Sequence, residues 1–167
     1  MKPLLLLLSA IATVAAAQNA LAASGDDEIV QVRNQWVADF NAGKVDALAA
    51  MYSADAVLLN GKGERFQGPA AIVAYLKTIH GQTSNLKLTI DKFGSSGDLG
   101  YDTGSFQNTV TTAGVMISGK VMITGKVSMT GGGGTKVVEG NFAVIPKKDH
   151  GKWLIVEQIS IEKPPTP

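Results

Sequence analysis

After Gly81 the hydrophobic periodicity of this chain changes for good. Before that point apolar residues recur at helical spacing, as Ile29, Val32, Trp36, Val37 and Phe40 and again as Ile72, Val73, Tyr75, Leu76 and Ile79. Beyond it they alternate, with Leu86, Leu88 and Ile90 set between Lys87, Thr89 and Asp91. A period near 3.6 lines up one face of a helix, and a period of 2 lines up one face of a strand. Helices first and strands afterwards imply an α+β domain, with helices packed on one face of a largely antiparallel sheet. Such a sheet can curl around the helical segment and leave a cone open at one end.

Local signals divide the helical part. Ser24, with Asp27 three positions on, reads as a helix start with a capping box. Gly43 marks the end of that helix, and Asp46 to Tyr52 reads as a second, short helix that turns Leu48, Met51 and Tyr52 inward. Asp55 to Leu59 is a β-type run that stops at Asn60, before a Gly61-Lys62-Gly63 turn. Gly68-Pro69 opens a third helix, which ends at Gly81. The strands that follow are "DLGYDTGSFQNTV", "GVMISGKVMITGKVSM", "TKVVEGNFAVIPKK" and "KWLIVEQISIEK". Gly131 to Gly134 form an unbroken glycine run that reads as a flexible loop, and the tail over 164–167 lies beyond the fold as a disordered end.

The first 22 residues carry an address. Lys2, an apolar run from Leu4 to Ala17 and the small-residue pattern Ala20-Leu21-Ala22 match a cleaved secretory leader. The run is shorter than the ~20 residues a membrane-spanning helix needs, so no stable membrane anchor is expected. The expected organisation is a leader over 1–22 and one domain over 23–163, with the periplasm or the medium as destination. There is no cysteine in the 167 residues, so neither disulfide, thiol nucleophile nor thiolate metal site is available. Without Lys2, the 15 basic residues become 14, against 14 acidic ones. A neutral chain lacks the basic face that grips nucleic acid or an anionic membrane, so neither is an expected partner.

Chemical motifs are few. Gly114 to Lys120 approaches a phosphate loop, but Val121 stands where a magnesium-binding hydroxyl belongs, and a strand follows where a helix is required. The sequence "ISGKVMITGK" reads instead as a duplicated strand–turn unit. His80 and His150, the only histidines, sit at a helix end and in a polar turn, so no metal site, cofactor or Ser-His-acid set is expected. In "VVEGNFAVI", Val137, Glu139, Asn141 and Ala143 share one face, with Val138, Phe142 and Val144 on the other. Glu139 and Asn141, with Glu157, either line a polar cavity or form a solvated sheet face.

In this order the segments "WVADFNAGKVDALAAMYSADAVLL", "FQGPAAIVAYL", "GDLGYDTGSF" and "HGKWLIVEQIS" resemble the nuclear transport factor 2-like superfamily, in its SnoaL-like branch. The resemblance runs from about Glu28 to Ile161 and is interrupted by a glycine-rich insert over 112–134. It implies a cone-shaped, curved, mostly antiparallel sheet wrapped around the first helix, with a pocket between them. The superfamily includes steroid isomerases, dehydratases, polyketide cyclases and non-catalytic binding or assembly domains, so fold alone does not settle function. Homodimers built on the exposed face of the sheet are also implied; Met116, Ile117, Met122, Ile123 and Met129 would add apolar weight to such a face, and buried core strands account for them equally well.

The isomerases carry a tyrosine on the first helix, an aspartate base after the first strand and a second acid on a later strand. Those positions correspond to Trp36, Asn60 and Asn141 here. An amide takes up no proton near neutral pH, so Asn60 cannot act as that base. The expected function is an exported domain that binds a small, partly apolar molecule in a pocket formed by Trp36, Asn60, Tyr75, Glu139, Asn141 and Glu157, with no catalytic residue. The alternatives are an enzyme using Glu139, Glu157 or Asp102 as acid or base, and a non-catalytic assembly domain.

Overall fold

The structure, a computed structural model, describes residues 24–112 and 133–164. The leader, residues 113–132 of the insert and the last three residues of the tail lie outside the described residues. So do the duplicated strand–turn unit and the five apolar side chains from Met116 to Met129.

Helix α1 spans Gly25–Asn41 and starts where the capping box places it: Asp27 N–H donates to Ser24 Oγ, and Ser24 N–H to the Asp27 carboxylate. Gly43 follows at φ +73°, a left-handed turn that glycine adopts without strain. Val45–Met51 forms a 3₁₀ helix, and Tyr52 is not its last residue but the first of strand β1, Tyr52–Leu59. Tyr52 is drawn into the sheet by parallel pairing with Ile155, and a register shift separates that contact from Val57. Strand β2, Arg65–Gln67, leads directly into α2, Gly68–His80. The long strands β3, Thr83–Ser96, β4, Leu99–Thr112, β5, Gly134–Asp149, and β6, Lys152–Glu162, complete the domain. Gly134 opens β5 opposite Thr112, so this glycine belongs to the sheet and not to the loop expected over Gly131–Gly134.

The six strands lie in the order β2-β1-β6-β5-β4-β3. All neighbours are antiparallel except β1 and β6, and the sheet does not close on itself. Both α-helices pack on one face. Leu48, Ala56, Leu58, Ile72, Leu76 and Ile155 are nearly inaccessible there and join Phe40 and Tyr52 in the core. Burying each leucine and isoleucine of this set contributes about 1.5–3 kcal/mol. Asn41, at the end of α1, ties the helix to the sheet by bonding both the N–H and the carbonyl of Leu86. No described helix is long and apolar enough to cross a membrane.

Candidate functional site

Strand alternation decides what enters the space between α1 and the sheet. Asp102 pairs with Val144, Val144 with Gln158, and Gln158 with Leu58, so one row of side chains crosses four strands on the inner face. Two members of that row are polar and both are buried, Asp102 at 3 % exposure and Gln158 at 8 %. From the helix, Ile29, Val32, Arg33 and Trp36 face this row. Together with Phe142, Val144 and Ile155 they enclose a cavity of about 50 Å³. At ~10–15 Å³ for each water, that is room for about three to five waters or a compact solute.

Arg33 reaches down from α1 and donates through Nη1 to Asp102 Oδ2 at 3.0 Å, while its guanidinium lies over the ring of Phe93. The other carboxylate oxygen, Oδ1, is buried without any hydrogen-bond partner. Burial pushes the Asp102 carboxyl above its ordinary value, and the hydrogen bond and charge of Arg33 oppose that rise. A buried acceptor left open costs free energy until a donor meets it.

Beside this pair runs a chain of hydrogen bonds. Trp36 Nε1 donates to the Tyr52 hydroxyl at 2.9 Å, and that hydroxyl donates to Gln158 Oε1 at 2.6 Å. Burial holds the Tyr52 phenol far above its ordinary range, only partly opposed by the bond from Trp36. Trp36 also stacks on Phe40, with centroids 5.3 Å apart and planes at 7°. Its indole N–H is therefore engaged by the protein, and what Trp36 offers the cavity is an apolar ring.

Asn60 and Tyr75 stand elsewhere. Asn60 Oδ1 accepts from the N–H groups of Lys62 and Glu64, and its Nδ2 donates to Glu64 Oε2 at 2.6 Å. This side chain holds the β1–β2 turn together. With Tyr75, which stacks on Phe66, and Glu162 it borders a second cavity of about 440 Å³ that shares no lining residue with the first. Burial raises the Tyr75 phenol, a hydrogen bond with Asn60 opposes this, and the charges of Glu162 and Glu64 add to the rise.

Glu139, Asn141 and Glu157 are exposed and face away from the helices. The alternation that turns Val138 and Phe142 inward turns Glu139 and Asn141 outward. Glu157 shares the outer face with its partners Val57 and Ile145. These three do not join the cavity under α1, so of the six expected pocket residues Trp36 alone lines it. Among the described residues, no cluster of three or more acids and histidines could hold a metal ion.

Arg33 and Gln158 were not singled out in the sequence. Arg33 sits three residues before Trp36, a lone charge on an otherwise apolar helix stripe, and that position was a usable signal. Gln158 gave no such signal, because alternation from Trp153 and Ile155 points to Glu157, and Gln158 turns inward only past the register shift opposite Ile145 and Pro146. Asp102 was named only as a candidate acid or base, and its ion pair depends on a helix 69 residues away in sequence.

The fold has close structural counterparts. A ketosteroid isomerase-like protein from Erwinia carotovora atroseptica superposes with a TM-score of 0.67 at 14% identity, over 85% of this chain and 98% of that one. A protein with a cystatin-like fold from Caulobacter vibrioides gives 0.63 at 17% identity, over 86% and 92%. A protein of the NTF-2 like type from Shewanella oneidensis gives 0.56 at 19% identity, over 81% and 97%. At these identities the likeness is one of fold alone. None of the curated proteins matches the sequence. The family model of the SnoaL-like domain matches residues 34–153, well over half the chain. The cone, the helix that roofs it and this match agree, and the chain belongs to the SnoaL-like family of the nuclear transport factor 2-like superfamily.

Proposed function

We propose that this domain binds a small, partly apolar molecule in the cavity between α1 and the sheet, and that it does so after export. The observation that carries the reading is Asp102 Oδ1, a buried acceptor without a partner, on a residue that lines the cavity with Arg33, Gln158 and a set of aliphatic and aromatic groups. Ligand sites combine an apolar lining with a few placed polar groups, and this cavity has that composition. The volume of about 50 Å³ limits an occupant to a few non-hydrogen atoms unless α1 or the Arg33 side chain moves. Asn60 supplies no general base, because it is an amide whose oxygen and nitrogen both hold the turn. Export rests on the leader at 1–22.

Native mass spectrometry of the protein purified from its own host tests this reading. A small adduct is expected on the wild type and is expected to be absent from the double variant Arg33→Met/Asp102→Leu. An adduct that survives in the double variant would place the ligand elsewhere.

A second reading, acid–base chemistry at Asp102, is favoured by the burial that raises its carboxyl above its ordinary value against the opposing charge and hydrogen bond of Arg33. Asp102→Asn distinguishes the two, since it keeps an acceptor in place but has no proton to exchange. Binding with turnover lost supports chemistry; binding with no turnover in either protein supports a pure binding domain.

A further inference from the structure

Gln158 faces the cavity from the far side of Val144, opposite Asp102 in the same row. Its amide has one allowed orientation. An indole N–H can only donate, so Trp36 makes the Tyr52 oxygen an acceptor. The phenol then has one hydrogen to place, and Gln158 Oε1 lies 2.6 Å away. Were the amide turned over, its NH₂ and the indole would both donate to the phenol. The phenol's own hydrogen, on a residue only 4 % exposed, would then have no acceptor among these groups. Gln158 Oε1 is thus taken by Tyr52, and the NH₂ is what this residue has left for the cavity.

The cavity therefore has two unlike poles. Asp102 Oδ1 is an open acceptor whose charge is balanced by Arg33 at Oδ2. Gln158 supplies a donor two strands away, which at ~4.8 Å for each strand puts the two backbones roughly 10 Å apart. Side chains of both residues project into the same space, so a compact molecule can meet them together. An anion would face the open carboxylate oxygen. A cation would meet a carboxylate already paired with Arg33.

We infer that the ligand is an uncharged molecule of a few non-hydrogen atoms that carries a donor for Asp102 and an acceptor for Gln158, such as a hydroxy-carbonyl compound. This rests on the ligand-binding reading above and adds the polarity of the ligand. Tyr52 is a positioning residue here, acting on the ligand only through Gln158.

Solution NMR with three small probes tests the inference: hydroxyacetone (donor and acceptor), butanone (acceptor only) and propionate (an anion). Hydroxyacetone is expected to shift the Gln158 side-chain amide and the Trp36 indole resonances, and to bind about tenfold more tightly than either other probe, the effect of one buried hydrogen bond. Gln158→Met should remove most of that preference. Tyr52→Phe, which touches no ligand, should weaken the preference by releasing the amide to turn. Equal binding of all three probes to the wild type would overturn the inference and leave the cavity as a ligand site. No perturbation of any cavity resonance by any probe would overturn the ligand-binding reading and the inference with it.

Discussion

Arg33 and Asp102 form an ion pair that a stability argument alone does not explain. Desolvating two charges costs several kcal/mol per ion, and replacing such a pair by apolar residues of similar volume is often neutral or stabilising. Removing one partner is different, because the other charge stays buried and unpaired. Asp102→Leu alone is expected to cost about 3–5 kcal/mol, and Arg33→Met/Asp102→Leu to recover most of that loss in urea unfolding. A double variant as unstable as the single one would show that the pair holds the fold together. The pair also has a pH signature. Because burial raises Asp102, the folded state holds the proton more tightly than the unfolded chain. As pH rises through 3.8 the unfolded carboxyl ionises first, and stability falls until the folded carboxyl has ionised as well. Asp102→Asn should abolish that fall, measured as the urea midpoint against pH. Glu28 has the opposite sign: hydrogen bonds from Lys148 and Trp153 lower its carboxyl, so its contribution is present above 4.5 and is lost as acid takes the pH through the lowered value. Measuring both proteins in a Glu28→Gln background removes that overlap. Asp102 was visible in the sequence as an acid in an alternating run, but its partner was not, because nothing local says which helix face will lie above it.

Among the elements, β4 is the most constrained. Gly104 lies on the inner face between Ile90 and Phe142, and a Cβ placed there would collide with the backbone carbonyl of Thr89. A backbone atom cannot swing aside as a side chain can. Gly104→Ala is therefore expected to destabilise by about 1–3 kcal/mol through overpacking, read as a lowered thermal midpoint. An unchanged midpoint would mean that the bulge between Ile90 and Lys92 adjusts freely. Helix α1 and helix α2 were legible from caps and periodicity, since Ser24, Asp27, Gly68 and Pro69 act within a few residues of chain. The end of the 3₁₀ helix was not. Tyr52 continues the helical pattern in sequence, and it leaves the helix because β6 offers a strand partner and Gln158 offers an acceptor. Gly104 was equally opaque, since the requirement comes from a neighbouring strand.

For the molecule as a whole, the order of periodicities and the four family-like segments led to the fold, because an α+β cone follows from which faces must be buried. The site was less legible. Glu139, Asn141 and Glu157 carry attractive chemistry, but period-2 alternation offers two faces, and only packing against α1 says which one is inside. The leader makes its own prediction: N-terminal sequencing of protein from the exporting host should begin Ala-Ser-Gly-Asp, from cleavage after Ala22. An intact Met1 in a membrane fraction would contradict export. The central claim is that the cavity under α1, and not the larger one beside Asn60, receives the ligand. Chemical-shift mapping of the isotope-labelled domain against a small-molecule extract of the host measures this directly. The account predicts shifts concentrated at Arg33, Trp36, Asp102, Val144 and Gln158, with Asn60, Tyr75 and Glu162 unmoved. Shifts confined to Asn60, Tyr75 and Glu162 would contradict it.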